Sequence, residues 1–252
     1  MIVLFNEEMR KKAVYPGLYN EAAGPVIRCL SSNGGDNLVV YSELDAANAD
    51  DVIDEQLRYF RQTGKAFEWK MYDFDSPPDL RERLIAKGFE QGEAEALMIL
   101  PLRDDHELLR IGASSFVRRI AKPQEIDAVV RLENAVWQES HAELGVRLKE
   151  ELAAYADQMA VFVAEENGQT VSVGWMYLHE GTSFCSLFGG ATHAEFRGRG
   201  YYAALLAARA RLAWERGFRT LMVDASAASR PILERKGFVF TGYSYPYYSP
   251  AP

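Results

Sequence analysis

The sequence predicts an α/β (α+β) protein built from two similar halves, on three observations. Short β-branched or aromatic runs alternate with stretches of helical apolar spacing, so strands and helices alternate along the chain. One strand-to-helix turn is glycine-rich and carries two arginines, Arg197-Gly198-Arg199-Gly200. A strand, a short loop and a helix end twice on the same signature, LRERLIAKGF at Phe89 and RPILERKGF at Phe238.

The elements follow in order. Val26 to Leu30 and Asn37 to Tyr41 read as strands, set off by Pro16-Gly17 and Gly34-Gly35 turn signals. Asp45 to Thr63 reads as a helix with Val52, Ile53, Leu57 and Phe60 on one face. Phe67 to Tyr72 is an aromatic-rich strand. Ser76-Pro77-Pro78-Asp79 opens a helix that Gly88 ends, and Ala94 to Leu102 is the next strand. Residues 103–115 read as a linker or interdomain helix. Phe116 to Ile120 then starts a second series: helices over Pro123 to Gln138 and Leu148 to Tyr155, and a hairpin of 160–164 and 170–178 around Glu166-Asn167-Gly168. Strand Thr182 to Phe188 leads into the arginine turn, helix Tyr201 to Arg216, strand Arg219 to Asp224 and a short helix before Gly237. Gly189-Gly190 mark a place where the strand can splay or bulge.

Aligning Met71 with Met222 gives an offset of 151 residues. At that offset Arg197 to Tyr202 falls on Ala46 to Asp51, a stretch with two aspartates and neither glycine nor arginine. This is a repeat at domain scale, and it predicts domains over 1–110 and 111–252.

Composition bounds the function. A net charge of −8 over 252 residues argues against a general nucleic-acid binder. The two cysteines, Cys29 and Cys185, lack metal-ligand spacing, so neither a metal site nor a disulfide framework is expected. The apolar MIVLF runs straight into NEEMRKK and is too short for a signal peptide or a membrane span. A soluble cytoplasmic protein is expected, without nucleic-acid or membrane partners, as a monomer or homodimer.

The arginine turn is the strongest chemical signal. Gly198 and Gly200 remove side chains where a ligand approaches the backbone. The first turn of the following helix offers unpaired N–H groups at the positive end of its dipole. Arg197 and Arg199 add full charges, which makes a phosphate or pyrophosphate site. Neither GxxxxGK[ST] nor GxGxxG after a first strand is present, which excludes Walker and Rossmann loops.

Residues 192–202 resemble the acetyl-CoA loop of the GNAT superfamily of N-acetyltransferases, V-x-P-x-x-R-G-x-G-x-G/A. Residues 226–238 resemble its next motif, N-x-x-A-x-x-L-Y-E-K-x-G-F. The resemblance covers roughly 116–245 and is nearest to tandem members with a degenerate first half. It implies two GNAT-like domains, each a mixed, mostly antiparallel twisted sheet flanked by helices. It also implies acetyl-CoA as cosubstrate, held by Gly190, Ala191, Thr192, Arg197, Gly198, Arg199, Gly200, Tyr201, Tyr202, Ser226 and Ser229, with the pantetheine arm entering at Gly189-Gly190. The departures are Thr192 and Ala194 for Val and Pro, Tyr202 for the last small residue, Ser226 for Asn, Ser229 for Ala, and Leu233 for the Tyr that protonates the thiolate.

The implied reaction is direct attack of a primary amine, that of a small molecule, on the thioester. Glu133 and Trp137 stand where the family selects its acceptor, with Glu139, His141 and Glu143 near them; carboxylates beside an aromatic suit an ammonium group, and a solvated helix face explains such charges equally. No spacing singles out the base or the acid. His193 lies next to the loop, either as a base or as an exposed loop residue. Tyr243 and Tyr245, with Tyr247 and Tyr248, offer hydroxyls or simply pack a terminal strand. Ser226 and Ser229 either line the pantetheine channel or cap a helix. Competing expectations are a non-catalytic acyl-CoA-binding or sensing protein and an interaction module without CoA.

Overall fold

The computed structural model describes residues 1–31 and 35–252; Gly34 of the expected Gly34-Gly35 turn lies outside them. The chain forms two compact units, Met1–Ile99 with Asp224–Pro252, and Leu100–Val223.

The first unit opens on a helix absent from the sequence reading, α1 (Ile2–Phe5), which continues into a π-helical turn, Asn6–Arg10. Phe5, Met9 and Arg10 are buried. Strands β1 (Leu18–Ala23) and β2 (Val26–Ser31) form a hairpin, and β3 (Leu38–Ser42) pairs antiparallel with β2. Helix α2 (Ala49–Thr63) starts four residues later than expected, because Asp45 Oδ1 accepts from the N–H of Ala47 and Asn48 and turns the chain first. Val52, Ile53 and Phe60 face the core, and Gly64 closes the helix at φ +65°. Strand β4 (Glu68–Tyr72) runs parallel to β3, followed by α3 (Leu80–Ala86), β5 (Glu90–Gln91) and β6 (Glu95–Pro101). The core packs Val39, Ile53, Phe60, Trp69, Leu84 and Tyr247, with Phe60 and Phe67 stacked at 4.1 Å.

In the second unit α4 (Glu107–Arg110) lies within the expected linker. Then come β7 (Val117–Arg119), α5 (Ile126–Trp137), α6 (Ala142–Ala154), β8 (Met159–Glu166), β9 (Gln169–Leu178), β10 (Phe184–Thr192), α7 (Tyr201–Glu215) and β11 (Thr220–Ala225). Helix α6 begins six residues before the expected Leu148. Asn167 and Gly168, both at positive φ, turn β8 into β9. Strands β7 to β10 pair antiparallel in sequence order, and β11 runs parallel to β10. Gly174 of β9 approaches Arg209 of α7, whereas Tyr177 of β9 bonds Glu151 of α6. These positions differ by an odd number, so α6 and α7 cover opposite faces of the sheet.

The chain then returns to the first unit as α8 (Arg230–Glu234) and β12 (Val239–Tyr248). Strand β12 pairs antiparallel with β4, β5 and β6. The compact units therefore differ from the expected halves 1–110 and 111–252, because the ladder partners of β12 hold residues 224–252 with the first unit.

Each unit has a mostly antiparallel sheet with one parallel crossover, β3–α2–β4 in the first and β10–α7–β11 in the second. Shifted by 151 residues, α2 falls on 200–214 and β4 on 219–223, against α7 at Tyr201–Glu215 and β11 at Thr220–Ala225. No described helix is long and apolar enough to cross a membrane.

Candidate active site

The site is built where β10 leaves its neighbours. Its parallel pairing with β11 runs from Phe184↔Thr220 to Ser186↔Met222 and stops there, although both strands continue. On the other side the register with β9 slips between Phe188 and Ala191, so Gly189 and Gly190 face Gly174 alone. This is the expected bulge, and three missing side chains make room for it. A Cβ on Gly189, at φ +58°, would lie 1.7 Å from the Trp175 ring. One on Gly190 would lie 2.6 Å from Tyr202, and one on Gly174 3.0 Å from the Arg209 guanidinium. The packing of glycine under Trp175 and the bulge are one feature. Tyr202, which replaces a small residue of the loop pattern, fits against the glycine that faces it.

Arg209 is 1 % exposed and was not singled out in the sequence. Its Nη1 donates to the carbonyls of Trp175 and Phe188, at 3.3 Å each, and its Nε to Leu205 O. It thereby ties α7 to both strands at the bulge. Burial lowers its pKa, against the Tyr202 hydroxyl beside it. An arginine in a helix face otherwise made of Leu and Ala was the available signal. Past the bulge, Ser172 Oγ donates to Ala191 O at 2.8 Å and lies 2.7 Å from Thr192 Oγ1, which fixes the strand end.

The loop follows. Arg197 Nε donates to Thr192 O. Gly198 and Gly200 take φ of +77° and +87°, and Gly200 is the N-cap of α7. The first turn of α7 has no acidic residue, and its N-cap makes no side-chain hydrogen bond, so its N–H groups stay available to an anion. Arg199, about half exposed, pairs with Glu166 at 3.2 Å and lies over the Phe196 ring. Burial raises the Tyr201 pKa, with Glu166 acting the same way. In the sequence Glu166 carries only a turn signal, with Asn167-Gly168.

His193 packs against Phe196, and its Nδ1 is buried without a hydrogen-bond partner, 4.0 Å from Glu195 Oε2. Its ring lines a cleft of about 680 Å³ with Arg118, Arg131, Gln169 and Thr170 among others. Cys185 is fully buried, and burial pushes its thiol pKa up, as expected of a structural cysteine.

Glu133 and Trp137 belong to the same unit. Trp137 Nε1 donates to Glu133 Oε2 at 2.7 Å, one helical turn apart. Glu133 Oε1 is buried without a partner. Burial raises the Glu133 pKa, against the Trp137 hydrogen bond and the nearby His141.

Four candidates fall in the other unit. Ser226 and Ser229 bond each other, Oγ to Oγ at 3.1 Å, in the turn before α8; Ser229 is the N-cap of α8 but makes no side-chain capping bond. Tyr243 OH accepts from Arg230. Tyr245 packs against the core of the first unit, Tyr247 OH donates to Gln91, and Leu233 is buried at 1 % exposure. No group of three or more metal-ligating side chains occurs among the described residues.

A family model described as an acetyltransferase (GNAT) domain matches residues 121–246, half of the chain. The chain belongs to the GNAT acetyltransferase family. No curated protein matches it. Among solved structures, this GNAT protein is similar to a GCN5-related N-acetyltransferase from Kribbella flavida, at 13 % identity and a TM-score of 0.68, covering 99 % of this chain and 94 % of that one. It is similar to a functionally unknown conserved protein from Staphylococcus epidermidis, at 14 % identity and 0.67, covering 95 % and 96 %. It is also similar to a tandem GNAT protein from the clavulanic acid biosynthesis pathway, at 13 % identity and 0.62, covering 95 % and 85 %. At these identities the likeness is one of fold, and it extends over nearly the whole GNAT chain rather than the matched domain alone.

Proposed function

We propose that the chain is an acetyl-CoA-dependent N-acetyltransferase that passes an acetyl group to the primary amine of a small molecule by direct attack, with its reacting centre in the second unit. The observation that carries this reading is the opening of β10 away from β11 beside the uncapped N-terminus of α7. Arg197 to Tyr202 would hold the pyrophosphate through backbone N–H groups and guanidinium charge. The edge of β10 over Gly190, Ala191 and Thr192 would pair with the pantetheine amides as an added strand. Cleaving the thioester then needs only a neutral amine and a proton for the departing thiolate.

The test is calorimetric titration with acetyl-CoA, CoA and 3′-phosphoadenosine diphosphate, paired with Arg199→Ala plus Gly200→Glu. Micromolar binding at about one site per chain is expected, on the scale of ordinary cosubstrate affinities. The double variant should fold and lose that binding; unchanged affinity would sink the loop assignment. A non-catalytic acyl-CoA-binding protein is the second reading. Leu233 favours it, buried where the family pattern places a tyrosine. Release of free thiol from acetyl-CoA on adding amines separates the two.

A further inference from the structure

We propose that Glu133 is the catalytic residue that receives the acceptor's ammonium group through its unpartnered Oε1 and takes the first proton from it. This rests on the reading of the chain as an N-acetyltransferase. Ile126, Val129 and Leu132 are the buried apolar positions of α5, and Glu133, at 3 % exposure, continues the same face one turn after Val129. That helix packs on β9 and β10, the two strands of the bulge. A carboxylate in such a stripe is costly unless its oxygens are satisfied. Trp137 satisfies one and fixes the rotamer; the other awaits a donor.

The tryptophan identifies the donor's class. Its ring is 57 % exposed although its N–H is bound inward, so the indole leads from solvent to the carboxylate. A cation beside an indole face and a buried carboxylate gains from both. A neutral hydroxyl or thiol gains from neither charge term. The occupant is therefore an alkylammonium.

Protons balance as follows. The ammonium gives one proton to Glu133 Oε1, and the neutral amine attacks the thioester carbon. The C–N bond forms, the C–S bond breaks, and the second amine proton leaves with the thiolate as free CoA thiol. Glu133 returns its proton to solvent. Burial raises the Glu133 pKa, which makes the carboxylate a stronger proton acceptor than an exposed one. His141 is the neighbouring basic side chain that bears on it, and it also faces Glu139. On the packed elements, Arg147 and Tyr177 serve Glu151, Lys149 serves Asp127, Glu143 and Glu150 are exposed, and Cys185 is a buried thiol.

Glu133→Gln keeps the shape and an acceptor for Trp137 but drops the charge. With n-butylamine and putrescine as probes and acetyl-CoA saturating, the amine KM should rise about ten- to a hundredfold. The acid limb of kcat/KM should disappear, and the acetyl-CoA Kd should stay as in the wild type. An unchanged amine KM and pH profile would overturn the assignment. If the wild type binds acetyl-CoA but acetylates neither amine, the enzymatic reading and the catalytic role of Glu133 fail together, and the fluorescence readout decides the ammonium seat alone. Saturable quenching of tryptophan fluorescence by butylammonium in the wild type, lost both in Trp137→Phe and in Glu133→Gln, supports the ammonium seat; equal traces refute it. A third readout is stability. A carboxyl whose pKa is raised on folding binds its proton more tightly in the folded state, so stability falls as pH rises from the unfolded-state pKa through the folded one. Glu133→Gln should remove that fall and be the more stable protein in mild alkali; a less stable variant there would mark Glu133 as a structural residue.

Discussion

In the first unit β3 and β4 part after Val39 and Trp69, and Arg10 of the N-terminal segment takes up the carbonyl just beyond. Its Nε donates to Val40 O at 2.8 Å, its two terminal nitrogens bind both oxygens of Asp75, and its guanidinium lies over the Tyr41 and Tyr72 rings. In the second unit β10 and β11 part after Ser186 and Met222, and the strand bulges there on paired glycines. The helix starts differ in the same sense. Asp50 and Asp51 occupy the first turn of α2, and Asp50 is paired with Arg83, whereas α7 begins just after two arginines, Arg197 and Arg199, with no acid in its first turn. The same strand–helix–strand crossover is thus closed by the chain's own charges in one unit, while in the other the strands part on glycines and the helix start carries no acid.

The largest break in this comparison is Arg10→Ala. The Arg10 and Asp75 side chains are 3 % and 4 % exposed, so removal of one leaves the other buried and unpaired. Urea denaturation should show a loss of about 3–5 kcal/mol, with much of it recovered in Arg10→Met plus Asp75→Leu. A loss below about 1 kcal/mol would mean that this pair is not what closes the first unit.

In the second unit the matching break is Gly190→Ala. The added Cβ meets the Tyr202 ring, which Arg209 and the first turn of α7 hold in place. We expect a cost of about 1–3 kcal/mol alone. In a Tyr202→Ala background that cost should shrink, with a coupling of about 0.5–3 kcal/mol in the double-mutant cycle. Additive effects would show that glycine and tyrosine are not complementary there.

How far the sequence announced these features follows their range. Apolar periodicity placed α2, α5, α7 and the long strands within a few residues, because burial of one face fixes them locally. The glycine and arginine spacing announced the loop, since positive φ and exposed charge leave direct marks. The N-terminal helix was missed because a four-residue helix has no period to read. Arg10, Arg209 and Glu166 were missed because their partners lie 65, 34 and 33 residues away. The strand β12 read as part of the second half, and its ladder with β4 depends on pairing across most of the chain, which no local pattern encodes.

The smallest expected effect sharpens the comparison most, because it tests whether the second site still carries a trace of self-closure. Glu166, the last residue of β8, holds Arg199 through one contact where Asp75 holds Arg10 through two, and this pair is more exposed, with 53 % and 32 % of the side chains accessible. An exposed pair is worth about 0.2–1 kcal/mol. A pyrophosphate must outbid it, so Glu166→Gln should tighten acetyl-CoA binding by roughly two- to fivefold in calorimetry. The gain should fade at high salt, where the competing carboxylate is already screened. A weaker affinity in Glu166→Gln would reverse the argument: Glu166 would then orient Arg199 toward the anion rather than compete for it, and the turn would count as part of the site.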